Sequence, residues 1–117
     1  MAKNKKDPLT AYERKTLLPA VCEVISFRKG KQKRITNKKI ISLYLNDYIV
    51  NPAQLRKILH HIRTNNLIEG IIATSQGYYI ADTREEFDAY LQSLRERVAA
   101  IMTLYRKTKE QRDRICP

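Results

Sequence analysis

Seven of the twelve residues between positions 28 and 39 are Lys or Arg, which gives this stretch the chemistry of a phosphate-binding surface. The seven are Arg28, Lys29, Lys31, Lys33, Arg34, Lys38 and Lys39. A side chain that neutralises a phosphate releases counterions, which adds affinity for nucleic acid without reading its sequence. A solvated loop is the alternative interpretation, but the charge is denser than solubility requires. We call residues 28–39 the basic segment.

A second set of polar side chains lies on one face of a predicted helix that follows Asn51. The buried stripe of this helix is predicted to consist of Leu55, Ile58, Leu59 and Ile62. At about 100° per residue, the positions that then face outward are Ala53, Gln54, Arg56, Lys57, His60, His61 and Thr64. Gln, Arg, Lys and Thr can hydrogen-bond base edges in a major groove that admits a helix. A plain solvated face is the alternative.

Arrangements that support catalysis or metal binding are not evident in the sequence. We find no nucleophile–base pair, no paired carboxylates placed for acid–base work and no glycine-rich phosphate loop. His60 and His61 are adjacent, so on a helix they point about 100° apart and cannot readily share one ion. Cys22 lies in an apolar helical stretch and is interpreted as a core thiol. The sequence therefore predicts no enzyme activity, no metal and no cofactor.

The charge of the chain is unevenly distributed. The net charge is +11, and residues 1–66 hold 15 Lys and Arg against four acids, whereas residues 67–117 hold eight of each. The whole excess therefore lies in the first part of the chain, as expected for a footprint on a polyanion. No apolar run approaches the roughly 18 residues that span a bilayer, and the lysine-rich N-terminus has no apolar signal region. We expect a cytoplasmic protein with no membrane partner.

Hydrophobic periodicity and capping residues predict four helices and one hairpin. The helices extend from Thr10 to about 28–30, from Thr36 or Asn37 to about Asn46, from Pro52 to about Asn65, and from Thr83 over about 30 residues; the strands lie at 68–74 and 78–81. Thr10 and Glu13 have the form of a capping box. Pro19 predicts a kink in the first helix, and Asn65–Asn66 can end the third through a left-handed residue.

The last predicted helix carries apolar residues at alternating spacings of four and three. They are Phe87, Leu91, Leu94, Val98, Ile101, Tyr105 and Thr108, a heptad seam over about three repeats. The first turns, from Phe87 to Leu94, are expected to pack on the chain's own core. Val98 to Tyr105 then need another partner, and self-association as a homodimer is the simplest one.

The order of the predicted elements, over residues 9–82, resembles the winged helix-turn-helix fold. The strongest local similarity is LRKILHHIRTNNLI at 55–68, followed by GYYI at 77–80, which is similar to a recognition helix leading into a wing. The stretch GYYIADTREEF and the final helix also resemble small proteins encoded by phages and prophages. The wing tip, Thr74–Gly77, is neutral, whereas many DNA-binding wings carry Lys or Arg there.

The resemblance implies a mainly α fold with a small β-hairpin. We expect a basic tail at 1–8, a winged-helix domain at 9–82 and a long helix at 83–117. The implied function is binding of nucleic acid, in the first place duplex DNA, by a transcriptional regulator or replication accessory factor of phage type. The alternative is a protein–protein interaction module in a replication or packaging assembly, with only non-specific affinity for nucleic acid.

Overall fold

Helical segments and a two-stranded hairpin make up the regular structure of residues 8–117, the part of the chain that the computed structural model describes. The α-helices are α1 (Leu18–Ser26), α2 (Asn37–Lys39), α3 (Pro52–Thr64) and α4 (Arg84–Ile115), and the strands are β1 (Ile71–Thr74) and β2 (Gly77–Ile80). Irregular helical turns span Glu13–Leu17, Lys31–Lys33 and Ile40–Tyr44. The prediction of a mainly helical chain with a small hairpin is confirmed. Of the predicted tail, only Pro8 is among the described residues.

The first helix accommodates Pro19 by a change of helical register. Glu13–Leu17 form a π-helical turn, in which Leu18 N–H donates to the Glu13 carbonyl, and α1 follows with Pro19 in its first turn. Proline lacks an N–H and crowds the carbonyl four residues earlier, and a wider π turn ahead of it leaves room for the ring. The π-helical turn lies directly before Pro19, and the predicted kink at Pro19 stays a prediction.

The predicted capping box at the start of this helix is confirmed. Glu13 N–H donates to Thr10 Oγ1 at 3.1 Å, and Thr10 N–H donates to Glu13 Oε1 at 2.9 Å. The second predicted cap is also present, because Thr36 Oγ1 accepts from Lys39 N–H at 3.2 Å. The π-helical turn after α2 ends at Tyr44, two residues before the predicted end.

Helix α3 follows the prediction closely. Asn51 Oδ1 accepts from Gln54 N–H at 2.8 Å, Gln54 Oε1 accepts from Asn51 N–H at 3.0 Å, and Pro52 occupies the first helical position. The chain leaves the helix through Asn66, whose φ of 57° is left-handed. The stripe Leu55, Ile58, Leu59 and Ile62 is buried as predicted. It packs in one core with Leu17, Val21 and Ile25 from the first helix and with Ile40, Leu45 and Ile71.

The hairpin is shorter than predicted on its first strand. Strand β1 begins at Ile71 rather than at 68, because Asn66 and Gly70 both have positive φ and turn the chain. The two strands pair antiparallel with Ile71 opposite Ile80 and Thr74 opposite Gly77. The loop between them therefore consists of Ser75 and Gln76, and Gly77 opens β2 with a φ of +130°.

Helix α4 has 32 residues and corresponds to about 48 Å of helix. The described residues up to Thr83 form one compact unit, and Arg84–Pro117 form another. No side chain of α4 is buried. Phe87 is 42% exposed and Leu91 is 59% exposed, and the prediction that the first turns of this helix pack on the core stays a prediction. Within residues 8–117, no helix combines the length and apolar character needed to cross a membrane.

Candidate nucleic-acid interface

Backbone hydrogen bonds hold the basic segment against β2. Ile80 N–H donates to the Arg28 carbonyl at 2.7 Å, and Gly30 N–H donates to the Ile80 carbonyl at 2.8 Å. Ile35 exchanges two hydrogen bonds with Tyr78, at 2.9 and 2.8 Å. The sequence predicted a loop here, but the segment is bonded to the sheet on both sides of its 3-10 turn. Its cations therefore project from a backbone whose position is fixed.

Most cations of the basic segment are exposed to solvent. They are Lys29, Lys31, Lys33, Arg34, Lys38 and Lys39. Lys29 Nζ lies 3.8 Å from Asp82 Oδ1 with both side chains exposed, so water weakens this contact. Within residues 8–117, no carboxylate forms an ion pair with the other five. This surface therefore keeps most of its positive charge available for a ligand.

Arg28 has a structural role that the sequence did not reveal. Its side chain is half-buried, Nη2 donates to Tyr44 Oη at 2.7 Å, and the guanidinium carbon lies 5.5 Å from the centre of the Tyr44 ring. These contacts join the start of the basic segment to the turn that follows α2. Its guanidinium bonds Tyr44 within the chain, and the prediction that Arg28 also binds phosphate stays a prediction.

Two residues predicted to read bases bond a buried carboxylate. Lys57 Nζ lies 2.7 Å from Glu13 Oε1, and Gln54 Nε2 donates to Glu13 Oε2 at 3.2 Å. Gln54 is only half-exposed, and its Oε1 accepts a hydrogen bond from Asn51 N–H at the start of α3. Lys57 is exposed, as predicted, whereas Gln54 is partly buried, and the role of either residue in reading bases stays a prediction. They connect α3 to the first helix.

The surroundings of Glu13 explain why this carboxylate stays charged. Its side chain is 2% exposed, yet its pKa lies below the ordinary value of 4.5. The hydrogen bond from Lys57 lowers the pKa most, and bonds from Thr10 and Gln54 add to this, which together outweigh the opposite effect of burial. Pairing and hydrogen bonding of this kind offset the cost of burying a charge.

The remaining polar residues of α3 differ in how available they are. Arg56 and His60 are exposed and remain candidate contacts. Thr64 Oγ1 donates to the His60 carbonyl at 2.9 Å, so its hydroxyl proton is used within the helix. His61 is half-buried, and its Nδ1 lies 3.2 Å from Asn65 Nδ2. The structure therefore places Arg56 and His60 together on one side of α3, with Gln54, Lys57 and His61 on the other.

Arg63 extends the side that carries Arg56 and His60, although sequence reasoning did not single it out. Positions 56, 60 and 63 follow the spacing of one helical face, which is the signal that could have identified it. An open cavity of about 460 Å³ lies at the end of this face. It is lined by His60, Arg63, Thr64, Asn66, Ile68, Glu69, Gly70 and Ile71. A basic stripe on α3 therefore leads to a concave surface.

Comparison with protein-family models, curated proteins and solved structures gives no match.

The tip of the hairpin is neutral, as the sequence indicated, and its polar atoms are bound locally. Thr74 Oγ1 donates to the Gly77 carbonyl at 3.1 Å and accepts from Gln76 N–H at 3.1 Å. In the described part of the chain, no three His, Cys, Asp or Glu side chains lie close enough to hold a metal ion. Cys22 is a half-buried free thiol whose pKa is raised by burial, and Cys116 is free and exposed.

Proposed function

We propose that this chain is a winged helix-turn-helix protein that binds duplex nucleic acid and has no catalytic activity. The supporting observation is the basic segment, where exposed cations project from a backbone held against β2. In this proposal the segment contacts phosphates, and α3 lies against the bases. The role that fits best is a DNA-binding transcriptional regulator or replication accessory factor of phage type.

Anchoring of the basic segment favours binding for a physical reason. A flexible basic loop loses conformational freedom when it closes on a phosphate backbone, and that loss opposes association. Here the hydrogen bonds of Gly30 and Ile35 to β2 have already fixed the backbone. Only the Lys and Arg side chains remain to be ordered, so more of the electrostatic free energy is available for binding.

The exposed cations of α3 have a separate role in the proposal. Arg56 and His60 share one side of the helix, and Arg can bind the two acceptors of guanine in the major groove. Lys57 and Gln54 act indirectly, because their bonds to Glu13 hold α3 at a fixed orientation. Discrimination between sequences is therefore assigned to Arg56 and His60.

A homodimer through α4 completes the proposal. Val98 is 58% exposed and Ile101 is 64% exposed, and both belong to the heptad seam. An apolar side chain left in water forgoes roughly 1.5–3 kcal/mol that burial would provide. A second copy of the same helix covers such a seam by knobs-into-holes packing. Dimers also suit DNA, because two recognition helices can bind two half-sites.

Duplex DNA binding is expected to weaken steeply with salt. If about four to six phosphates are neutralised, the slope of log affinity against log salt concentration is roughly −4 to −5. Between 50 and 200 mM salt the affinity should then fall by a factor on the order of 10² to 10³. Fluorescence anisotropy with a labelled random-sequence duplex measures this slope, with single-stranded DNA and a structured RNA of equal length alongside.

The double variant Lys31→Ala/Lys33→Ala tests whether the basic segment is the surface that binds DNA. It should weaken binding to all duplexes about equally and reduce the salt slope by about one for each lost contact. The matched control is Arg106→Ala/Lys107→Ala, which removes the same charge from α4 and should leave the slope almost unchanged. Equal effects of the two variants would show that net charge, not the basic segment, attracts DNA. No binding to any nucleic acid at low salt would overturn the proposed function.

Ile101→Glu is expected to convert the dimer into a folded monomer with weaker DNA binding. The substitution places a charge in the seam, and Ile101 is exposed in the single chain, so the fold does not depend on it. Light scattering at tens of micromolar gives the mass, and circular dichroism confirms the fold. Ala100→Glu, one residue away and outside the seam, is the matched control and should remain dimeric. A monomeric wild-type protein contradicts the dimer.

A second candidate function is an interaction module that docks a protein of a replication or packaging assembly. The neutral hairpin tip and the exposed seam of α4 favour it, because neither is needed for phosphate contacts. In this case the basic segment supplies only non-specific affinity. A protein that binds every duplex equally, and whose Arg56→Ala variant binds selected and random DNA as the wild type does, would support this alternative.

A further inference from the structure

The charge of α4 changes sign along its length. Residues 84–96 hold the acids Glu85, Glu86, Asp88 and Glu96 against two Arg, a net charge of −2. Residues 97–115 hold the bases Arg97, Arg106, Lys107, Lys109, Arg112 and Arg114 against two acids, a net charge of +4. The helix dipole favours acids in the first turn and bases in the last, but its effect does not extend beyond those turns. Arg97 and Arg106 lie further in, so the dipole does not account for them.

We propose that two copies of the chain pair through α4 in antiparallel orientation. This inference rests on the proposed dimer and adds its orientation and register. A parallel pair would place the two basic halves side by side and the two acidic parts side by side. An antiparallel pair places each acidic part beside the basic half of the other copy. Charge complementarity along the helix therefore selects the antiparallel pair.

The heptad seam also fixes the register of this pair. The seam residues occupy the heptad positions a and d in turn. In an antiparallel pair, an a residue of one copy packs opposite a d residue of the other, so Val98 lies opposite the partner's Ile101. The same register places Leu94 opposite the partner's Tyr105 and Leu91 opposite the partner's Thr108. All of these layers are then filled, and the midpoint of the overlap falls between the levels of positions 99 and 100, which themselves lie outside the seam.

Residues beside the seam distinguish this register from its neighbours. Asp88 lies 3.6 Å from Arg84 of its own helix. With Val98 opposite the partner's Ile101, Asp88 also lies beside the partner's Lys109, and this second ion pair occurs twice by symmetry. Arg95 lies beside the partner's Met102, whose apolar side chain the aliphatic part of Arg can cover. A shift by one heptad in one direction places Arg95 beside the partner's Arg95. A shift in the other direction places Arg95 beside the partner's Lys109.

Cross-linking of the full-length chain tests the orientation. In a Cys22→Ser/Cys116→Ser background, which removes both native thiols, the variant Leu91→Cys/Thr108→Cys should form a dimer linked between position 91 of one copy and position 108 of the other. Leu91→Cys alone should not cross-link, because the two positions 91 are separated by 17 residues of helix, about 25 Å. Non-reducing electrophoresis after mild oxidation, with mapping of the linked peptides, identifies the bond.

A charge exchange tests the register without altering the seam. Asp88→Lys should weaken dimerisation by about threefold to tenfold, since two exposed ion pairs are replaced by repulsion. Asp88→Lys/Lys109→Asp should restore it, because the pair reforms with the charges reversed. Sedimentation equilibrium measures the dimer dissociation constant. The matched control Glu96→Lys, on the face opposite the seam, should change this constant little.

The outcomes separate this inference from the proposed dimer. A wild-type protein that is monomeric at tens of micromolar overturns the dimer itself. A dimeric protein in which Leu91→Cys alone cross-links is parallel and overturns the orientation. A dimeric protein in which no variant cross-links, or in which the charge exchange gives no rescue, overturns the register.

Discussion

Glu13→Ala is expected to lower the free energy of unfolding by about 3 kcal/mol, because it leaves three polar groups without their partner. The carboxylate bonds Lys57 Nζ at 2.7 Å, Gln54 Nε2 at 3.2 Å and Thr10 N–H at 2.9 Å. Removing one partner of a buried ion pair lowers the free energy of unfolding by about 3–5 kcal/mol. The Lys57 side chain is 41% exposed and regains some hydration, which places the loss near the lower limit. Urea unfolding followed by circular dichroism measures it.

The pH dependence of stability gives a second measurement of the same carboxylate. The pKa of Glu13 is lower in the folded chain than its ordinary value of 4.5. Its contribution to stability is therefore complete above pH 4.5 and is lost as the pH falls through the lower folded pKa. Glu13→Gln, which keeps the size but not the charge, should be less stable than the wild type at pH 7, and the difference should shrink at pH 3. If Glu13→Gln and the wild type differed equally in free energy of unfolding at both pH values, the charge of Glu13 would not be the cause of the difference.

Gly77→Ala is expected to cost about 3 kcal/mol, an effect similar to the loss of Glu13. Gly77 has a φ of +130°, a conformation that L side chains rarely adopt. A Cβ at this position would also lie 2.7 Å from the carbonyl carbon and oxygen of Ile35, and these backbone atoms are held by their bonds to Tyr78. The chain must therefore separate the basic segment from β2 or distort the hairpin.

The matched control for this substitution is Gln76→Ala, at the neighbouring exposed position in the same turn. It truncates an exposed side chain and should change the free energy of unfolding by less than about 0.5 kcal/mol. Thermal unfolding of the two variants, compared with the wild type, measures the difference. Equal stability of the two variants would mean that the close approach of Ile35 to Gly77 does not constrain the fold.

Local interactions made much of the fold predictable from the sequence. The cap at Asn51 and the stripe of Leu55 and Ile58 depend on residues within one helix, so spacing alone identifies them. The sequence predicts an earlier start of β1 because Ile68 is β-branched and continues the strand pattern, whereas the backbone turns at Gly70. A turn set by φ angles has a weaker sequence signal than a hydrophobic stripe.

The candidate site was less predictable, because its decisive contacts join distant parts of the chain. Helical spacing predicts that Lys57 points away from the stripe, but it does not show that Glu13, 44 residues earlier, lies there. The capping box gives Glu13 a local role, and that role carries no signal for its contact with Lys57. Pairing of the basic segment with β2 consists of isolated bridges at single residues, which leave no strand pattern in the sequence.

The fixed backbone of the basic segment gives salt two opposite effects on this protein. Cations such as Lys31, Lys33 and Arg34 are held close together when no ligand is bound, and their mutual repulsion works against the folded state. At physiological ionic strength charges are screened over about 8 Å, so added salt relieves this repulsion while it weakens binding to a polyanion. The free protein is therefore expected to be least stable in the low-salt conditions in which it binds most tightly, and a bound polyanion then supplies the stabilisation that salt otherwise provides.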